Sequence, residues 1–213
     1  MMMVPSELFA IAFRFTAACA LALWAAAAPA ATILVYGDSL SAGYGLPSGR
    51  DWASLLAGRL REVGLNYKVA NASISGETTV GGKNRIAASL KQHQPDIVIL
   101  ALGANDGLRG GSLDEMRANL ETIVDATRNS GARVLLVGMR LPPNYGAAYT
   151  EKFRNVYGEV AASRKVPLVP FMFEGFSEKR AYFLPDTVHP AADAQPIILE
   201  TVWKGLRPLL KKS

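Results

Sequence analysis

In the stretch "VYGDSLSAGYG", residues 35–45, a short apolar run ends in a turn of small and polar residues. Asp38 and Ser39 follow directly on the apolar run "ILVY". In α/β proteins, functional residues gather beyond the carboxyl ends of parallel strands. Ser39 is therefore either part of an ordinary surface loop or a nucleophile placed at a strand end.

Five short apolar runs predict buried strands, because each is rich in β-branched residues. They are "ILVY" (33–36), "YKVA" (67–70), "IVILAL" (97–102), "VLLVGM" (134–139) and "VPLV" (166–169). Helical patterns lie between and after them: one over 52–63, one from the capping box Ser112–Glu115 to Gly131, one from about Tyr149 to Arg164 and one from near Pro196. This alternation predicts an α/β fold with a five-stranded, mostly parallel sheet.

The first 30 residues resemble a cleavable signal peptide. Arg14 precedes an uncharged apolar run over 15–28, and an A-x-A pattern ends at Ala30. The run is shorter than the roughly 20 residues that a membrane span needs, which favours cleavage over anchoring. We therefore expect residues 1–30 to be removed, residues 31–213 to form a single catalytic domain, and the protein to be periplasmic or secreted.

Composition limits the chemistry of residues 31–213. The only cysteine, Cys19, lies in the expected signal, so these residues contain no disulfide, no thiolate nucleophile and no sulfur metal ligand. The net charge of +5 favours a transient contact with anionic lipid or a nucleotide-bearing substrate, although it also fits an ordinary basic surface. No concentrated Lys/Arg run indicates nucleic-acid binding. A monomer is expected.

The two histidines of the chain are the candidates for a catalytic base. His93 follows a helical segment, where a cation merely suits the helix carboxyl end. His189 lies in "PDTVHP", three residues after Asp186. A carboxylate at this spacing can hold Nδ1 and leave Nε2 free as a base, but the same spacing also fits a solvated loop.

A serine nucleophile also needs donors for an oxyanion. Candidates are the N–H of Ser39, the backbone at Gly76, where a glycine permits close approach, and the side-chain amide of Asn105. Taken alone, Gly76 fits a turn and Asn105 a loop cap. Asp38 and Asp106 are expected to fix their loops through local Asx-type hydrogen bonds, and Asn71 is interpreted as a structural hydrogen-bond former.

Four short motifs occur in order at the predicted strand ends: "GDSLS", "ISG", "GAND" and "DTVH". Together they resemble the GDSL or SGNH hydrolase family over essentially all of residues 31–213. The wider stretches "GDSLSAGYGL", "NASISGETT", "GANDGLRGG", "RLPPNYG" and "HPAADAQPII" look like the branch of periplasmic acyl-CoA thioesterases, lysophospholipases and arylesterases. The resemblance implies a flavodoxin-like, three-layer α/β/α architecture, the SGNH hydrolase fold.

The resemblance also implies a role for each motif. Ser39 would be the nucleophile and His189 the base, oriented by Asp186. The N–H groups of Ser39 and Gly76 and the side chain of Asn105 would form the oxyanion hole. No metal or organic cofactor is implied. One residue departs from the pattern: Thr187 stands where this branch is expected to have glycine.

Two loops are predicted to enclose an acyl chain, unless both are ordinary connections. The loop "GLRGGS" (107–112) is rich in glycine and the loop "RLPPNYGAAY" (140–149) contains two adjacent prolines, so one wall would be mobile and the other firm. The expected substrate-binding residues are Leu108, Gly110, Gly111, Pro143 and Tyr145.

The sequence thus predicts an exported serine esterase or thioesterase that acts on aryl esters, acyl-CoA or lysophospholipids through an acyl-enzyme on Ser39. A carbohydrate deacetylase of the same family is one alternative, and a lipid-binding protein without catalysis is another. The presence of Asn105, Asp186 and His189 together with Ser39 argues against a protein that only binds lipid.

Overall fold

The computed structural model describes residues 30–211 and contains one five-stranded sheet. Its strands pair in parallel in the order β2-β1-β3-β4-β5. The strands are β1 Ala31–Gly37, β2 Tyr67–Asn71, β3 Ile97–Ala101, β4 Arg133–Val137 and β5 Leu168–Val169. The predicted α/β fold is confirmed. The predicted signal peptide lies outside the described residues, except for Ala30.

The helices follow the strands in regular alternation. They are α1 Ser39–Ala42, α2 Trp52–Glu62, α3 Thr79–His93, α4 Ala104–Leu108, α5 Leu113–Asn129, α6 Ala147–Arg164 and α7 Gln195–Leu206. Three-residue 3-10 helices span Pro143–Tyr145, Arg180–Tyr182, Ala192–Ala194 and Arg207–Leu209. Within residues 30–211, no helix combines the length and the apolar character that crossing a membrane requires.

Alternating side chains of the sheet build two separate cores. Ile33 and Val35 of β1 pack in a cluster with residues of α2 and α7. Leu34 and Tyr36 pack in a second cluster with residues of α3, α5 and α6. Because successive side chains of a strand point to opposite faces, the sheet is the middle of three layers.

The last strand is shorter than the predicted run 166–169. The N–H of Val166 donates to the carbonyl of Ala161 at 3.0 Å, so this residue completes the end of α6. Pro167 has no N–H to donate to a neighbouring strand. Only Leu168 and Val169 are therefore left to form the strand.

The strand order places a crevice beside β1. The chain proceeds from β1 to β2 on one side and continues to β3 on the other. Such a reversal opens a crevice at the carboxyl ends of the two central strands, where ligands of open α/β sheets bind. Ser39 follows β1 and Asn105 follows β3, so both lie at this crevice.

Candidate active site

The candidate nucleophile is the first residue of a one-turn helix rather than part of the expected loop. Asp38 caps α1, since its Oδ1 accepts the N–H of Leu40 at 3.0 Å. The helix ends at Gly43, whose N–H donates to the carbonyl of Ser39. Because the N–H of a first helical residue has no acceptor within its own helix, the N–H of Ser39 is suited to bind an oxyanion.

Asp38 is buried beside this turn. Burial is the main cause that raises the pKa of its carboxyl to about 7, and the nearby carboxylate of Asp106 raises it further, whereas the hydrogen bond from Leu40 opposes the shift. Asp38 is thus a structural residue, as the sequence predicts, whose proton is held more tightly than that of an ordinary carboxyl group.

Ser39, His189 and Asp186 form a continuous chain of hydrogen bonds. Nε2 of His189 lies 2.9 Å from Oγ of Ser39, and Nδ1 lies 2.7 Å from Oδ2 of Asp186. With the proton on Nδ1, the imidazole donates to the carboxylate and accepts the serine hydroxyl. This arrangement can activate a hydroxyl as a nucleophile.

The carboxylate of Asp186 is held in one orientation by backbone groups. Its Oδ1 accepts the N–H of Val188 at 2.9 Å and the N–H of His189 at 3.0 Å. Partial burial raises the pKa of Asp186, but the hydrogen bonds from the backbone of His189 and Val188 and from the imidazole outweigh it and lower the pKa to about 2. Asp186 is therefore ionised at neutral pH.

The side chain of Asn105 connects α4 to the loop that carries Gly76. Its Nδ2 donates to the carbonyl of Glu77 at 3.0 Å and to Oδ2 of Asp38 at 3.4 Å. Arg109 donates to the carbonyl of Gly76 at 3.0 Å, and Gly76 has a φ of +80°. The structure therefore brings the Gly76 loop to α4, at the end of β3.

Asp106 fixes the start of a different helix from the one that contains it. Its carboxylate accepts the N–H of Thr79 at 2.9 Å and the hydroxyl of Thr79 at 2.6 Å, and Asn119 donates to the same hydroxyl. The prediction of a local Asx-type contact is wrong for Asp106. Asn71 has the predicted structural role, since Nδ2 donates to the carbonyl of Ser41 at 2.7 Å.

A groove of about 690 Å³ contains the triad, since Ser39, Asp186 and His189 are among its lining residues. Leu108 and Pro143, two of the five residues predicted to bind substrate, line it. Gly110, Gly111 and Tyr145 are not among its lining residues, and their contact with substrate stays a prediction.

These three residues make hydrogen bonds within or to the segment 106–111. The hydroxyl of Tyr145 donates to the carbonyl of Leu108 at 3.1 Å. The N–H groups of Gly110 and Gly111 donate to the carbonyls of Gly107 and Asp106. The glycine-rich loop therefore closes a turn after α4.

Comparison with known proteins agrees with this geometry. A family model described as the GDSL-like lipase/acylhydrolase family matches residues 35–195. The chain belongs to this family. It is similar to the esterase TesA of Pseudomonas aeruginosa, with 48% identity over 90% of this chain and 95% of that protein.

Two further similarities extend over most of this acylhydrolase. The thioesterase 1/protease 1/lysophospholipase L1 of Escherichia coli strain K12 is 42% identical over 86% of this chain and 87% of that protein. A crystal structure of TesA superposes with a TM-score of 0.82 at 48% identity, covering 84% of this chain and 99% of the other. The predicted family and the SGNH hydrolase fold are thereby confirmed.

The groove of this acylhydrolase has an aromatic wall that is not among the residues predicted to bind substrate. Phe171, Phe173 and Phe183 line the groove along with Leu141 and Pro142. The stretch "FMFEGF" (171–176) gave a signal in its density of aromatic residues. That signal alone does not distinguish a groove from a core, and Phe176 of the same stretch is fully buried.

Gln195, which no sequence motif singled out, positions the segment before the last helix. Gln195 is buried, and its Nε2 donates to the carbonyl of Pro190 at 3.1 Å. Its Oε1 accepts the N–H of Trp52 at 3.1 Å. Gln195 therefore joins the residue after His189 to the start of α2.

Thr187 stands where the family resemblance implies glycine. The backbone conformation at this position explains why glycine would suit it. Its φ is +64°, in the left-handed region that a β-branched residue rarely adopts. Its N–H donates to the carbonyl of Leu184 at 3.0 Å, which closes the turn. The turn thus keeps a glycine-like conformation between Asp186 and His189 despite the side chain.

Proposed function

We propose that this protein hydrolyses carboxylic esters and thioesters through an acyl-enzyme formed on Ser39. The observation that carries the proposal is the hydrogen-bond chain from Asp186 through His189 to Ser39, three residues that line a groove together with aromatic and aliphatic side chains. Two similar proteins described above support hydrolysis of these ester and thioester bonds. One is named an esterase, and the other a thioesterase and lysophospholipase.

The geometry gives each residue a step in the reaction. Oγ of Ser39 attacks the acyl carbonyl carbon while its proton passes to Nε2 of His189. The oxyanion of the tetrahedral intermediate is bound by the N–H groups of Ser39 and Gly76 and by Nδ2 of Asn105. Collapse of the intermediate expels the alcohol or thiol, which takes the proton from His189.

Deacylation repeats these steps with water. His189 accepts a proton from the water molecule as its oxygen attacks the acyl carbon. The second tetrahedral intermediate then breaks the bond to Oγ, Ser39 regains its proton from His189, and the carboxylic acid leaves. Asp186 stays ionised throughout and stabilises the imidazolium.

The groove favours an acyl chain as the part of the substrate that the enzyme recognises. Its aromatic and aliphatic lining residues include Leu108, Phe173 and Phe183, and its charged or polar ones away from the triad include Arg140, Ser177 and Glu178. The apolar part can bury the methylenes of an acyl chain, which is favourable, whereas sugar hydroxyls facing it would lack hydrogen-bond partners. We therefore favour medium-chain esters, acyl thioesters and lysophospholipids over acetylated carbohydrates, the second candidate.

We also propose that the enzyme is exported and acts as a monomer in the periplasm or outside the cell. The apolar run 15–28 and the A-x-A pattern that ends at Ala30 support cleavage of a signal peptide after Ala30. The charge of +5 supports a transient contact with anionic lipid, whereas no basic run favours nucleic acid.

Mass spectrometry of protein recovered from an exporting host should find Ala31 as the first residue. A first residue at Met1 would contradict export with cleavage.

Labelling with a fluorophosphonate tests the assignment of the nucleophile. An activated serine reacts readily, so a single adduct is expected on the peptide that contains Ser39. His189→Ala should abolish labelling, and His93→Ala is the matched control that should leave it unchanged. An adduct on another serine, or activity without any adduct, would refute the assignment.

A substrate panel separates this proposal from its rivals. We expect hydrolysis of p-nitrophenyl octanoate and octanoyl-CoA to exceed release of acetate from acetylated xylan. The opposite order would favour the deacetylase. Lipid binding without any turnover would favour a protein that only binds.

A further inference from the structure

The turn after the nucleophile carries a tyrosine whose ring lies against the imidazole of His189. The ring centroids of Tyr44 and His189 are 4.3 Å apart, and the ring planes are inclined by 36°. Tyr44 is nevertheless 51% exposed. The contact therefore does not result from burial of Tyr44 in the core, and it involves the reacting base directly.

Backbone hydrogen bonds tie Tyr44 to the nucleophile. The N–H groups of Gly43 and Tyr44 both donate to the carbonyl of Ser39, the latter at 3.4 Å. Gly43 has a φ of +76°, which glycine adopts without steric cost. The position of the Tyr44 backbone is thus set by the residue that attacks the substrate.

The next residue brings the same turn against the segment that carries the base. A Cβ at Gly45 would lie only 2.6 Å from Cδ1 of Leu184. The N–H of Leu184 in turn donates to the carbonyl of His189 at 2.8 Å. The absence of a side chain at Gly45 therefore lets the turn approach this segment closely.

We propose that Tyr44 is a positioning residue that holds the imidazole of His189 between Ser39 and Asp186. Hydrogen bonds at Nδ1 and Nε2 lie in the plane of an imidazole ring, whereas Tyr44 contacts its face and opposes tilting out of that plane. His189 becomes a cation when it accepts the serine proton, and an aromatic face attracts a cation. The inference rests on the proposed hydrolysis by Ser39 and His189.

The ring of Tyr44, and not its hydroxyl, has this role. Among residues 30–211 the hydroxyl has no hydrogen-bond partner. Tyr44→Phe and Tyr44→Trp should therefore keep kcat within about twofold of the wild type. Tyr44→Leu should lower kcat on a p-nitrophenyl acetate substrate about three- to tenfold, the range expected for one aromatic pair, with KM unchanged. Val63→Ala, an exposed residue after α2, is the control.

Proton NMR gives a readout that does not depend on turnover. The chain has only two histidines, and His189→Ala identifies which imidazole signals belong to His189. Shielding by the Tyr44 ring should be lost in Tyr44→Leu, so the His189 signals move, and it should be retained in Tyr44→Phe. The His93 signals should stay in place in both variants.

Several outcomes would overturn the proposal. They are a kcat of Tyr44→Leu equal to that of the wild type, a loss confined to KM, and His189 signals that do not move in Tyr44→Leu. Loss of activity in Tyr44→Phe as severe as in Tyr44→Leu would also overturn it, because the hydroxyl would then be the important group. Failure of the proposed hydrolysis is seen separately, as full activity in Ser39→Ala.

Discussion

The side-chain amide of Asn105 is oriented before any substrate binds. Of its two hydrogen bonds, the one to the carbonyl of Glu77 is 3.0 Å long and the one to Asp38 is 3.4 Å long. The shorter bond fixes the amide plane. The longer bond to Asp38 is weaker, so a developing oxyanion can compete with Asp38 for Nδ2 of Asn105. A donor placed in advance needs no reorganisation in the transition state.

Replacing Asn105 with alanine should therefore act on the chemical step. We expect Asn105→Ala to lower kcat by about 10²- to 10³-fold with a smaller change in KM. Asn129→Ala, an exposed residue at the end of α5, is the control for removal of an asparagine side chain. Steady-state kinetics with an octanoate ester measure both. If the loss appeared only in KM, Asn105 would be a substrate-binding residue and not an oxyanion donor.

Thr187 has a backbone conformation that costs it free energy. A left-handed φ costs a residue with a side chain roughly 1–2 kcal/mol, whereas glycine pays a larger entropy loss of roughly 0.5–1 kcal/mol on folding. Thr187→Gly should therefore raise the free energy of unfolding by up to about 1 kcal/mol, measured by urea denaturation. Thr187→Ala keeps the Cβ and should give no such gain. A glycine variant less stable than the wild type would show that the threonine side chain stabilises the turn.

At the scale of single residues, the sequence predicts which side chains can act in catalysis better than it predicts which side chains touch each other. With two histidines in the chain, few bases are available, and His189 is favoured because its segment "PDTVHP" predicts a loop, whereas His93 lies at the end of a helical segment. The contacts of Tyr44 with His189 and of Gln195 with Trp52 join residues far apart in the chain. No local pattern encodes such contacts, because they depend on how loops pack after the sheet has formed.

At the scale of elements, hydrophobic periodicity predicts the long helices and the buried strands, because these elements bury one face or run. A buried strand and a helical face each repeat a hydrophobic spacing, so β1, β3, α2 and α5 are found close to their predicted limits. One-turn helices have no such repeat. Helices α1 and α4 were therefore expected to be loops, although they carry Ser39 and Asn105.

The groove walls lead to a prediction about acyl chain length. Each methylene buried in the groove should contribute about 0.8 kcal/mol, or roughly fourfold in kcat/KM, until the groove is filled. Activity should therefore rise from acetyl to medium-chain esters. Leu108→Ala should lower kcat/KM for an octanoate ester about tenfold and that for an acetate ester much less. A flat chain-length profile would contradict an acyl groove.

The turn after α4 provides the contrasting variant. A Cβ at Gly110 would meet open space but at a φ of +66°, and a Cβ at Gly111 would lie 3.0 Å from the carbonyl oxygen of Asp106. Since neither residue lines the groove, replacing both with alanine should strain the turn and impair acetate and octanoate esters alike. A selective loss on the longer ester would support the predicted role of a mobile wall.

At the scale of the whole molecule, two carboxyl groups link folding to pH in opposite directions. Asp186 has a lowered pKa of about 2, so the stability it contributes is present above the unfolded value near 4 and is lost as pH falls toward 2. Asp38 has a raised pKa of about 7. Between pH 4 and 7 the folded protein holds a proton at Asp38 that the unfolded chain releases, so this residue lowers stability as pH rises.

Asp38→Asn should remove the second effect. Asparagine stays neutral at every pH and its side-chain oxygen can still accept the N–H of Leu40. The contribution of Asp38 amounts to a loss of at most about 1.4 kcal/mol per pH unit between pH 5 and 7, the slope for one proton. The free energy of unfolding of the wild type should therefore fall relative to that of Asp38→Asn over this range, and the difference should level off above pH 8. Urea denaturation of both proteins at pH 5, 6, 7 and 8 measures this difference, in which the contributions of groups common to both proteins cancel. A difference that did not change with pH would mean that Asp38 is already ionised in the folded protein at pH 5, and that the hydrogen bonds from Leu40 and Asn105 outweigh its burial.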